Sequence, residues 1–108
     1  MQVAGTDLPR EPNIPVDDPL FTVHVADDLN MTTGKASAQA AHAAFVIVRD
    51  HLTTDDFVRF LHEPTRFNVR PASSAELADL AQAAPVAIND AGHTEVAPGS
   101  LTAVGTLA

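Results

Sequence analysis

Residues 21–50 read FTVHVADDLN MTTGKASAQA AHAAFVIVRD, and within them the hydrophobic period changes from two to about 3.6. Phe21, Val23 and Val25 alternate with Thr22, His24 and Ala26, the pattern of a half-buried strand. Asp27-Asp28-Leu29-Asn30 turns the chain, and Thr32 or Thr33 can cap a helix running from about Gly34 to His51. Ala36, Ala40, Ala43 and Ile47 form the expected core stripe of that helix. Lys35, Gln39 and His42, at i, i+4 and i+7, stand together on an adjoining face. A strand that feeds straight into a long amphipathic helix sets the class as α/β.

Downstream the alternation continues. A second, shorter helix is expected over 54–62, with Asp55 and Asp56 in its first turn and Pro64 beyond its end. Residues 66–70 alternate around Phe67 and Val69 as a short strand. Ser73 or Ser74 caps a third helix through about Ala83, with Leu77 and Leu80 facing the core, and Pro85 ends it. Residues 86–89 read as a strand, and a loop with Gly92, Pro98 and Gly99 leads to a last strand over 101–107. The order β-α-α-β-α-β-β implies a sheet covered by helices, its last two strands able to lie side by side.

Upstream the composition differs. Residues 1–19 hold four of the eight prolines together with Asp7, Glu11, Asp17 and Asp18, the make-up of an extended acidic arm outside the folded domain over 20–108. The whole chain, 108 residues, suffices for one modest core and no more. It has no cysteine, which excludes disulfides, thiolate metal sites and cysteine nucleophiles. No basic start is followed by an apolar run, and the apolar-rich stretch 36–48 is too short to span a bilayer, so a soluble, cytoplasmic protein is expected. The net charge of −8 points away from nucleic acid, since RNA binders normally present a basic face.

Two segments carry chemistry. Lys35, the only lysine, sits at a helix start, where free amides and the helix dipole already favour an anion. Asn89-Asp90-Ala91-Gly92-His93-Thr94 closes the third strand, and ligands gather at strand ends in open α/β sheets. Asp90 can orient or deprotonate water and Lys35 can stabilise an oxyanion, while hydroxyls at Thr94 and Thr102 can position a substrate. His42, flanked by alanines, reads equally as a partly buried structural histidine or as a site residue. The five histidines lack metal-ligand spacing, no Gly-x-Ser-x-Gly elbow occurs, and no phosphate-binding glycine loop is complete, so no metal and no cofactor are expected.

The stretch Met31-Thr32-Thr33-Gly34-Lys35-Ala36-Ser37-Ala38-Gln39-Ala40-Ala41-His42-Ala43 resembles the first signature of the type II peptidyl-tRNA hydrolase family. Asp90-Ala91-Gly92-His93-Thr94-Glu95-Val96-Ala97-Pro98-Gly99-Ser100-Leu101-Thr102 is similar to the second. The resemblance runs from about Phe21 to Ala108. It implies a mixed four-stranded sheet with helices on both faces and metal-free hydrolysis of the ester between peptide and tRNA. By motif position it implies Lys35, Asp90, Thr94 and Thr102 as catalytic residues, with Gln39 and His42 beside them. Thr33 stands where the signature has a first lysine and His93 where it often has arginine, so both would face the substrate. Glu95 replaces the usual glutamine. Peptidyl-tRNA as the partner and a homodimer are further expectations. The alternative reading is the same fold serving as a binding or regulatory module, or acting on a small non-RNA ester.

Overall fold

The computed structural model describes residues 15–90, 96–97 and 99–108. The first fourteen residues of the arm lie outside the described residues, as do His93 and Thr94. Seven elements follow the expected order: β1 (Phe21–Ala26), α1 (Thr33–Asp50), α2 (Thr54–His62), β2 (Asn68–Ala72), α3 (Ser74–Ala81), β3 (Val86–Asn89) and β4 (Leu101–Leu107). The sheet order is β2-β1-β4-β3, with β1 parallel to β2 and β4 antiparallel to both β1 and β3. The sheet is therefore mixed, and β1, β2 and β3 all point the same way.

Helices cover both faces. Val23, Gly105 and Val86 lie in register across three strands, and a Cβ on Gly105 would meet Ile47 of α1. His24, on the opposite face by strand alternation, feels the charge of Glu76 on α3. Phe21, Val23, Ile47, Leu77 and Val104 are fully buried. The Phe21 ring stacks on Phe67 at 4.9 Å between centroids, and Phe60 of α2 tilts against Phe21 at 6.0 Å.

Helix starts obey local chemistry. Thr32, Thr53 and Ser73 cap α1, α2 and α3 through their hydroxyls, and Ser73 with Glu76 completes a reciprocal capping box. Helix α3 stops at Ala81, short of the expected Ala83, because the chain tightens: Gln82 and Ala83 donate to carbonyls only three residues back.

Strand β2 corrects the sequence reading, spanning 68–72 where 66–70 was expected. Arg66 is drawn out of the ladder by Asp18 and Glu63, and Pro71 is accepted because β2 is an edge strand with one neighbour. The end of the acidic arm is held in the same place. Val16 donates its amide to Asn68 Oδ1 at 2.7 Å, and the Asp18 carboxylate meets Arg66 at 2.6 Å.

Candidate active site

The parallel run of β1, β2 and β3 puts their C-terminal ends on one rim of the sheet. Helix α1 starts just beyond β1 on that rim, and Asp90 follows directly on β3. Lys35, in the first turn of α1, therefore reaches Asp90 across the rim, with Nζ 2.5 Å from Oδ1. The two side chains are 11% and 8% exposed. Burying two charges is costly, and a close, hydrogen-bonded pair is what makes it tolerable. Nearly buried ionic groups at strand ends in an open α/β sheet are also where ligand sites concentrate.

The main chain around the pair is fixed as well. Asp90 donates its amide to Ser100 O at 2.9 Å and accepts from the Gly99 amide at 2.7 Å. Asn89 adds a side-chain bond to Gly99 O at 3.2 Å. Neither Asn89 nor Ser100 was singled out by sequence, because their partners lie about ten residues away and nothing local marks them.

Gln39 and Thr102 meet beneath the rim. Gln39 takes a place in the buried stripe of α1, which comprises Ala36, Gln39, Ala43 and Ile47 rather than the four apolar residues expected. Ala40 is only half-buried. The register shift between Ile88 and Asn89 pairs them with Ala103 and Leu101, leaving Thr102 as an extra residue in β4. That bulge turns the Thr102 hydroxyl toward α1, where it lies 2.5 Å from Gln39 Oε1 and 3.3 Å from Ile88 O. Thr102 is fully buried, its hydroxyl enclosed between Gln39 of α1 and the Ile88 carbonyl of β3.

His42 does not join this group. It is exposed, and seven residues of helix put it about 10 Å along the axis from Lys35. The reading of His42 as a partly buried structural residue is thereby overturned.

On the other flank of α1 an open groove of about 580 Å³ runs between the helix and β2. Thr33, Ala36 and Ala40 form one wall, with Phe67, Val69 and Pro71 opposite. The Lys35–Asp90 pair does not line it, so this apolar groove and the ion pair share only the N-terminal end of α1. Among the described residues no cluster of three or more His, Asp or Glu could hold a metal ion, and no helix is long and apolar enough to cross a membrane.

A family described as "Peptidyl-tRNA hydrolase PTH2" matches residues 21–107, the whole sheet and all three helices. The chain is 38% identical over 98 residues to a protein named "Peptidyl-tRNA hydrolase" from Metallosphaera sedula, the match covering 79% of this chain and 82% of that protein. It is 36% identical over 90 residues to "Probable peptidyl-tRNA hydrolase 2" from Schizosaccharomyces pombe, covering 75% of this chain but only 44% of the yeast protein. With a mixed sheet, helices on both faces and a match that begins at β1 and ends in β4, the chain belongs to the peptidyl-tRNA hydrolase PTH2 family.

Proposed function

We propose that this chain hydrolyses the ester bond joining a peptide to the ribose of tRNA, and that Lys35 and Asp90 carry the reaction. The observation that carries the assignment of residues is the nearly buried 2.5 Å contact between them at the sheet rim. Asp90 orients a water and takes its proton as the oxygen attacks the ester carbonyl. Lys35 stabilises the negative charge that develops on the carbonyl oxygen. Collapse of the tetrahedral species breaks the bond to the ribose oxygen, which leaves with the proton held by Asp90. Gln39 and Thr102 act as positioning residues beneath the pair, and motif resemblance adds the Thr94 hydroxyl to the set.

The groove beside Thr33 offers apolar walls to the peptide half of the substrate, while Thr33 and exposed His42 take the tRNA half, a role that motif resemblance extends to His93. The setting is the cytoplasm, where translation supplies peptidyl-tRNA. A homodimer is supported by α2, which has no buried residue and exposes Phe57, Val58 and Leu61. Its acidic first turn and basic last turn suit antiparallel pairing with a second copy.

The test is peptide release from an N-blocked aminoacyl-tRNA by the wild type, Lys35→Ala and Asp90→Ala. Each variant is expected to lose about 10²-fold or more in kcat. Removing one partner of a buried pair costs about 3–5 kcal/mol, so the double variant Lys35→Met/Asp90→Asn serves as a control that stays folded yet inactive. A wild type inactive at both low and high salt would overturn the reading.

A further inference from the structure

Three hydrogen bonds among the described residues tie the end of β3, with Asp90, to Gly99 and Ser100 just before β4. Two are main-chain bonds, Asp90 N to Ser100 O and Gly99 N to Asp90 O. The third is the Asn89 side-chain amide to Gly99 O, at 3.2 Å.

That third bond stands where the ladder fails. Regular pairing between β3 and β4 slips at Ile88/Asn89, so the strands no longer supply an even row of main-chain bonds next to Asp90. Gly99 also adopts φ +80°, a conformation that leaves its peptide units turned away from strand geometry. The Asn89 amide catches the carbonyl on the far side of that turn, while Gly99 N, on the near side, holds the Asp90 carbonyl. Asn89 and Asp90 thus grip the two ends of one residue. A carboxylate or a hydrocarbon at position 89 has no hydrogen to give to a carbonyl, so the grip requires the amide.

We propose that Asn89 is a positioning residue for the reaction, holding Gly99 so that the Asp90 carboxylate stays directed at Lys35. The proposal rests on the reading of Lys35 and Asp90 as the reacting pair. Asn89 is exposed and its bond is a single neutral one, so its loss barely alters global stability. Displacement of a reacting group by about 1 Å, in contrast, can lower a rate by about 10²-fold.

The experiment compares Asn89→Ala, Asn89→Asp and Asn89→Gln with the wild type and Asp90→Asn, measuring kcat and KM on N-blocked aminoacyl-tRNA, thermal midpoint, and the ¹³Cγ resonance of Asp90. Asn89→Ala and Asn89→Asp should lower kcat about tenfold, with KM within about twofold of the wild type and the midpoint almost unmoved. Their Asp90 resonance should shift, and Asn89→Gln, which keeps the donor, should recover most of the rate. A purely structural role would lower the midpoint and leave kcat per folded molecule unchanged, which overturns the proposal. So does a shifted resonance at wild-type kcat. Full activity in Asp90→Asn would instead remove the pair reading itself, whatever the Asn89 variants do.

Discussion

His24 lies on the α3 face of the sheet, away from the lysine–aspartate pair, with Nε2 3.2 Å from Thr106 Oγ1. Burial lowers its pKa from the ordinary 6.5, Arg70 on β2 lowers it further, and Glu76 on α3 partly opposes them. The folded chain therefore prefers the neutral imidazole, and the unfolded chain binds the proton more readily. Stability from this source is complete above 6.5 and drains away as pH falls below it. Replacing His24 by Gln should shrink the difference in thermal midpoint between about pH 7.5 and pH 5.5. The Glu76 carboxyl is held low by hydrogen bonds from Ser73, so its own loss belongs to more acid solution and does not confuse the comparison. An unchanged slope in the variant would assign the pH response elsewhere. The same local logic explains what could be read from the sequence at the site. Lys35 and Asp90 were legible because a helix start and a strand end each give a charged residue a reason to be there. Gln39 and Thr102 were legible as residues, but their roles depended on a bulge in β4 that no local pattern announces. Of the two readings open for His42, the buried structural one fails because the core stripe of α1 runs through Gln39 and Ala43 and leaves it outside.

Helix α1 is the element that carries Lys35 to Asp90, and its height above the sheet depends on Gly105. A Cβ at that position in β4 would fall on the Cδ1 and Cγ1 atoms of Ile47, a side chain with no exposure. Gly105→Ala should therefore cost about 1–3 kcal/mol in urea unfolding, the usual range for overpacking a filled core. Ile47→Val removes Cδ1, so adding it to Gly105→Ala should cost less than the two single changes summed. Simple additivity would mean that the helix shifts as a body and finds other room. The element order itself was readable because strand and helix periods alternate cleanly and the helices carry their own caps. The boundaries of β2 were not, since Arg66 and Phe67 alternate like strand residues but are claimed by Asp18, Glu63 and the Phe21 ring. The close approach at Gly105 was equally hidden, because a glycine in a strand signals a bulge or a near neighbour without saying which helix is near.

For the whole molecule the charge balance governs how a polyanion can be bound. The net charge is −8, and most of the few cations are already committed. Lys35 pairs with Asp90, Arg49 with Asp50, Arg66 with Asp18 and Glu63, and Arg59 lies 4.0 Å from Asp56. Arg70 is the one Lys or Arg among the described residues outside these ion pairs, and it sits at the groove beside α1. A protein that neutralises six to ten phosphates loses about 10³–10⁵ in affinity between 50 and 200 mM salt. With one or two contacts the loss over that range is only about three- to tenfold, and screening of the general repulsion between acidic surface and RNA works against even that. The KM for an N-blocked aminoacyl-tRNA is therefore expected to rise by no more than about tenfold from 50 to 200 mM salt, while kcat, on the proposal that the nearly buried Lys35–Asp90 pair carries the reaction, stays level. A much steeper rise would require cations supplied from beyond the described residues, either Arg10 in the acidic arm or a second copy of the chain paired through α2. Repeating the titration with Arg10→Ala, and with Leu61→Asp to oppose pairing, would separate those two sources.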